Sequence, residues 1–145
     1  MELSIQTALL NVTNLQQSID FYQEVFELRV ISQQEEVAAL MVYETNRRQV
    51  LLLRELRIGS HHAGRHSIGL RMLSFEAGAP DELVGIEEKL VNRHALVWHA
   101  QTETYRALMG TDPDRIEICV ASSLTGSPIS SEDWRTLDDA IYTVE

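Results

Sequence analysis

Cysteine is almost missing from this chain: Cys119 is the only one. A lone thiol excludes an internal disulfide and every cysteine-rich zinc motif. Its apolar neighbours in Arg115-Ile116-Glu117-Ile118-Cys119-Val120 mark it as a small core residue rather than a nucleophile. Basic residues are scarce too, 12 Lys and Arg against 22 Asp and Glu, for a formal net charge of −10. Nucleic-acid binding needs a concentrated basic face, so nucleic acid is not an expected partner, and the one basic doublet, Arg47-Arg48, reads as a solvated turn. No apolar run is long enough to span a bilayer, and no charged-then-apolar leader opens the chain. A cytoplasmic protein without a membrane partner is therefore expected. Equally missing are a Gly-rich phosphate loop, a nucleophile elbow, a His-Glu-x-x-His run and a dinucleotide fingerprint. Glu35-Glu36 and Glu87-Glu88 adjoin in sequence instead of facing across a cleft, so they read as surface charges.

What is present is an ordinary globular composition, 44% hydrophobic and 23% charged over 145 residues, enough for one domain with a real core. Residues 2–12 alternate loosely and end in a turn with an N-cap candidate at Thr13-Asn14. Leu15, Ile19, Tyr22 and Phe26 recur at helical spacing, which predicts a helix over 15–27. Extended stretches follow at 28–34, 36–43 and 49–57, with Glu44-Thr45-Asn46-Arg47 as the hairpin turn between the last two. The small and polar segment 58–65 reads as a linker.

The same order then recurs: a strand at 66–73, Asp81 as the cap of a helix over 81–93, and strands near 95–100, 104–110 and 115–121. The expected fold is thus α+β, two tandem βαβββ modules at about 1–57 and 66–121, forming one domain over 1–121. Two half-covered sheets side by side would curl into a cup whose concave face holds a ligand. The tail, 122–145, lies outside the repeat; Ser131-Glu132-Asp133-Trp134 followed by Leu137 and Ile141 predicts a short capped helix, packing Trp134 over an edge or onto a partner subunit.

Two residues have the chemistry of metal ligands: His66 opens one strand-like run and Glu117 sits in another. A catalytic centre usually takes at least three protein ligands plus an open position. His61, His62, His94 and His99 are the other imidazoles; adjacent histidines in a linker lack the fixed geometry that a site requires. A hydrogen-bonded polar pair is the other reading of His66 and Glu117. Arg71, Tyr105 and Arg106 are candidates for choosing a ligand, since a fixed guanidinium suits a carboxylate or enolate; an outward, solvated arginine is the competing reading. Strand alternation allows only one of Tyr105 and Arg106, and one of Trp98 and His99, to face the cup.

Ala8-Leu9-Leu10-Asn11-Val12, then Leu15, Ser18, Phe21 and Tyr22, then His66-Ser67-Ile68-Gly69-Leu70-Arg71, and finally Asp112-Pro113-Asp114-Arg115-Ile116-Glu117 together resemble the vicinal oxygen chelate superfamily. That superfamily includes glyoxalase I, extradiol dioxygenases, fosfomycin-resistance and bleomycin-resistance proteins, and the resemblance spans residues 4–121. One departure is that Arg115 stands where the superfamily's closing turn has glycine. The resemblance implies metal ligands at equivalent strand positions of both modules. In the second these are His66 and Glu117; in the first they match Thr7 and Leu51, neither of which is a good ligand for iron, manganese, nickel or zinc.

Two functions follow from the resemblance. One is a dioxygenase- or lyase-like enzyme in which a divalent ion on His66 and Glu117 grips neighbouring oxygens of a small molecule, Glu117 doubling as base. Thr7, Arg71, His99 and Tyr105 would then be its substrate contacts. The other is a metal-free, ligand-sequestering protein of the bleomycin-resistance kind. Either implies a small-molecule ligand and a homodimer.

Overall fold

The computed structural model describes residues 1, 3–44, 48–56 and 69–144. The chain divides into two compact units, Met1–His61 and His62–Glu145. The predicted linker at 58–65 and most of the predicted 44–47 turn lie outside the described residues.

Unit 1 runs β1 (Thr7–Val12), α1 (Leu15–Phe26), β2 (Arg29–Gln34), β3 (Val37–Glu44) and β4 (Arg48–Glu55), with strand order β1-β4-β3-β2. β1 pairs parallel with β4, while β2, β3 and β4 are antiparallel. The Asn14 side chain accepts from the Gln17 N–H at 2.9 Å, and the Glu55 carboxylate at the end of β4 accepts from the Leu15 N–H at 2.9 Å. These two acceptors satisfy N–H groups that the first turn cannot satisfy itself. Leu15, Ile19, Tyr22 and Val25 form the buried stripe of α1. In the sheet, Leu10 and Val12 share a face with Leu51 and Leu53, all buried, whereas Leu9 on the alternate face is 50% exposed.

Unit 2 repeats the order: β5 (Leu73–Glu76), α2 (Glu82–Asn92), β6 (Leu96–Gln101), β7 (Tyr105–Thr111) and β8 (Glu117–Ser123), followed by α3 (Ser131–Tyr142). Its strand order is β5-β8-β7-β6, again with one parallel pair, β5 with β8. Two βαβββ modules and a C-terminal helix are therefore the architecture.

Several details differ from expectation: of the alternating stretch at 2–12, β1 takes only Thr7–Val12. Of the strand predicted at 66–73, residues 66–68 lie outside the described residues; Gly69 adopts φ +128°, residues 69–72 are irregular, and β5 begins at Leu73, where pairing with Ile118 starts. Asp81 precedes α2 without capping it, because its backbone is already helical (φ −69°, ψ −23°), a geometry that does not aim the side chain at the first turn. The first N–H groups of α2 donate instead to the carbonyls of Ala79, Pro80 and Asp81.

The two faces of the unit 2 sheet are covered by different helices. Leu83 and Leu90 of α2 are fully buried, and beneath them Gly110 leaves room for Leu90: an added Cβ would lie 2.9 Å from the Ala95 carbonyl oxygen. On the opposite face Tyr105, Ala107, Met109, Cys119 and Ala121 pack with Ile129, Leu137 and Ile141, and Met72, Trp98 and Trp134 close around them. Ser130 caps α3 by accepting from the Asp133 N–H at 3.0 Å, one residue earlier than the predicted cap. No helix among the described residues is long and apolar enough to cross a membrane.

Candidate functional site

Glu117 owes its position to the turn before it. The buried Asp112 carboxylate accepts from the Asp114 N–H at 2.8 Å and the Ile116 N–H at 2.9 Å, and Arg115 bends back at φ +65°. β8 then starts with Glu117 on the face of Cys119 and Ala121, the face that α3 covers.

Arg71 meets it there. One guanidinium nitrogen, Nη1, donates to Glu117 Oε2, and Nη2 lies 3.4 Å from Asp138 Oδ1 on α3 without hydrogen-bond geometry. The Tyr142 ring, one turn further along α3, has its centroid 5.7 Å from Arg71 Cζ, within cation–π range. The helix thus directs Leu137 and Ile141 into the core and Asp138 and Tyr142 towards Arg71. The Arg71 and Glu117 side chains are only 22% and 14% exposed, so solvent screens their attraction weakly. One cation stands between two carboxylates.

The other sequence candidates are dispersed. Tyr105 is buried on the same face as Glu117, but β7 pairs Thr111, not Tyr105, with Glu117. Six strand residues separate the two levels, roughly 20 Å. Burial, then the Asp133 and Cys119 charges, push the Tyr105 phenol above its ordinary range. His99 is exposed, paired with Leu108 on the face away from Glu117, and Arg106 on that same face donates to Glu87 at 2.7 Å. Trp98 packs into the core with Trp134. His94 ends the turn after α2 at φ +56° and is exposed. His61, His62 and His66 lie outside the described residues. Cys119 is fully buried, and burial pushes its thiol up to about 12.

In unit 1, Thr7 is exposed on β1 and pairs with Val50; Leu51 pairs with Ala8 and is buried on the face beneath α1. Leu51 therefore does not share a face with Thr7, a correction to the equivalence drawn from the sequence. The residues that do, Val50 and Leu52, are also aliphatic. Among the described residues no group of three or more His, Cys, Asp and Glu can hold a metal ion. With Glu117 bound to a guanidinium and no such group beside it, the described residues do not fit a divalent ion.

Asp138 and Tyr142 are the site residues that sequence reasoning missed. Their i, i+4 spacing beside the Leu137–Ile141 stripe was a visible signal, but the partner that gives it meaning is some 70 residues away.

Residues 4–120 match the Glyoxalase/Bleomycin resistance protein/Dioxygenase superfamily. A glyoxylase/bleomycin resistance protein/dioxygenase domain from Frankia sp. EAN1pec superposes with a TM-score of 0.71 at 19% identity, over 85% of this chain and 99% of that one. Lactoylglutathione lyase from Agrobacterium tumefaciens gives 0.61 at 17% identity, over 82% and 92%. A mutant of the fosfomycin resistance protein FosX from Listeria monocytogenes, complexed with Mn(II) and 1S,2S-dihydroxypropylphosphonic acid, gives 0.62 at 11% identity, over 83% and 89%. At these identities the likeness is one of fold. No curated protein matches the chain.

Proposed function

Because the chain belongs to the Glyoxalase/Bleomycin resistance protein/Dioxygenase superfamily, we propose that it is a small-molecule-binding protein of the bleomycin-resistance kind, working without a metal ion. The observation that carries this reading is the Arg71–Glu117 pair. A carboxylate that already holds a guanidinium in a poorly solvated place has its charge neutralised and its lone pairs engaged. A divalent ion would have to displace Arg71 and leave it buried without its partner, which is costly. Among the described residues no group of three or more His, Cys, Asp and Glu supplies compensating donors of the carboxylate or imidazole type. A net charge of −10 favours the approach of a cationic ligand over an anionic one.

The metal-dependent dioxygenase- or lyase-like function is the opposed outcome of one experiment. The protein is purified without chelator or affinity-tag metal, its metal content is measured, and its melting temperature is followed against added Mn(II), Fe(II), Ni(II) and Zn(II). We expect substoichiometric metal and no shift. Near one equivalent of metal, lost in both His66→Ala and Glu117→Ala, would overturn the reading and restore the enzyme. Homodimer formation belongs to the same proposal and is read by light scattering on the same sample.

A further inference from the structure

We propose that Arg71 is a built-in cation that takes the place of a metal ion at Glu117, and that the C-terminal helix holds it there through Asp138 and Tyr142. This inference rests on the metal-free reading above and supplies its cause. Three observations converge on one side chain. Nη1 of Arg71 donates to Glu117; Asp138 Oδ1 approaches Nη2 to 3.4 Å; the Tyr142 ring lies against the guanidinium at 5.7 Å. The contacts come from two elements, the first residue of β8 and two successive turns of α3, while Arg71 itself stands on the irregular segment before β5.

A long, flexible side chain held from three directions loses the rotamer freedom that would let it swing away from Glu117. Leu137 and Ile141, both fully buried, anchor the stretch of helix that carries Asp138 and Tyr142. The Nε and Nη2 atoms of Arg71 are buried without hydrogen-bond partners, as is Asp138 Oδ1. Arg71 is therefore placed by charge and packing rather than by a full set of hydrogen bonds. Asp138 and Tyr142 act through Arg71 and are positioning residues.

Removing the built-in cation should open the place to a real one. Arg71→Met keeps an unbranched stem and leaves Glu117 and Asp138 with no positive charge between them. Two carboxylates completed by water suit a hard, oxygen-seeking ion, so Mn(II) alone is the probe. Isothermal titration and Mn(II) electron paramagnetic resonance read binding directly, and circular dichroism checks the fold. The expected result is no Mn(II) binding by the wild type, binding at least about tenfold tighter by Arg71→Met, and loss of that binding in Arg71→Met with Glu117→Gln. Arg71→Lys, which keeps the charge, should remain closed to Mn(II). If Arg71→Met does not fold, Arg71→Gln carries the test: it removes the charge between the two carboxylates and keeps a polar side chain, and measurable Mn(II) binding is expected. A folded Arg71→Met, or Arg71→Gln in its stead, with no gain over wild type overturns the proposal while the metal-free reading stands. Mn(II) bound by the wild type sinks the metal-free reading itself.

Discussion

Leu137→Ala tests whether α3 is a structural part of unit 2, on which the placement of Arg71 depends. Leu137 is fully buried in the cluster formed by Met109, Cys119, Ala121 and Ile141. Truncation removes three carbon groups at about 0.8 kcal/mol each, about 2.4 kcal/mol. A residual void of roughly 50 Å³ at about 24 cal/mol per Å³ adds about 1.2 kcal/mol. The total, about 3.5 kcal/mol, is near a third of a typical domain stability on the order of 10 kcal/mol. It should lower the melting temperature by about 7–14 °C in a chain of this size. The reporters are built in: Trp98 and Trp134 are the only two tryptophans and both pack against this cluster. Urea titration followed by tryptophan fluorescence therefore reads the affected region. Arg135→Ala on the same helix, an exposed residue that among the described residues pairs with Glu132 and Asp139, should leave the midpoint unchanged. A loss below about 1 kcal/mol for Leu137→Ala would mean that α3 is not packed on the sheet, and the account of Arg71 would fall with it.

Three further outcomes follow from the same region. Arg115 holds φ +65° in the turn before β8, a conformation costing an L-residue about 1–2 kcal/mol. Arg115→Gly returns part of that as chain entropy, so a net gain of about 0.5–1 kcal/mol is expected, seen as a melting temperature higher by a few degrees; a decrease would show that the Arg115 side chain contributes to the turn. The Cys119 thiol, raised to about 12 from its ordinary 9.0, should resist thiol reagents at pH 8 until urea unfolds the chain, and rapid labelling of the native protein would contradict its burial. Between those two values the unfolded state holds fewer protons than the folded one. Stability should accordingly fall as pH rises above about 9, by up to about 1.4 kcal/mol per pH unit, and the Tyr105 shift acts in the same sense. Cys119→Ala should flatten that slope.

The fold was legible because most elements carry their own period. α1 fills Leu15–Phe26 where apolar residues recur every three or four positions, and six of the eight strands begin within a residue or two of their predicted starts, for example β3 at Val37 and β7 at Tyr105. β5 misled because His66-Ser67-Ile68-Gly69-Leu70-Arg71-Met72 alternates like a strand. Alternation does not register that Gly69 turns at φ +128° or that Arg71 leaves the ladder to reach Glu117 and Asp138. The candidate site was legible only in part for a related reason. Glu117 could be found from its local turn, and the strand alternation of Tyr105 against Arg106 and of Trp98 against His99 was fixed correctly. Which of each pair faces α3, and what Glu117 bonds to, are tertiary facts. They depend on the face of the sheet that the tail selects, and nothing local to β6, β7 or β8 encodes that choice.

The sheet face carrying Ala107, Ala121 and Glu117 is sealed by α3, while unit 1 has, among the described residues, no second helix for the corresponding face of its own sheet. Two halves with one element order thereby meet unlike packing demands. Enlarging Ala121 on β8 would collide with Leu137 and Ile141, whereas Arg54 on β4 is exposed and free to drift. A short appended helix is enough to give two like modules different tolerance to substitution within a single chain.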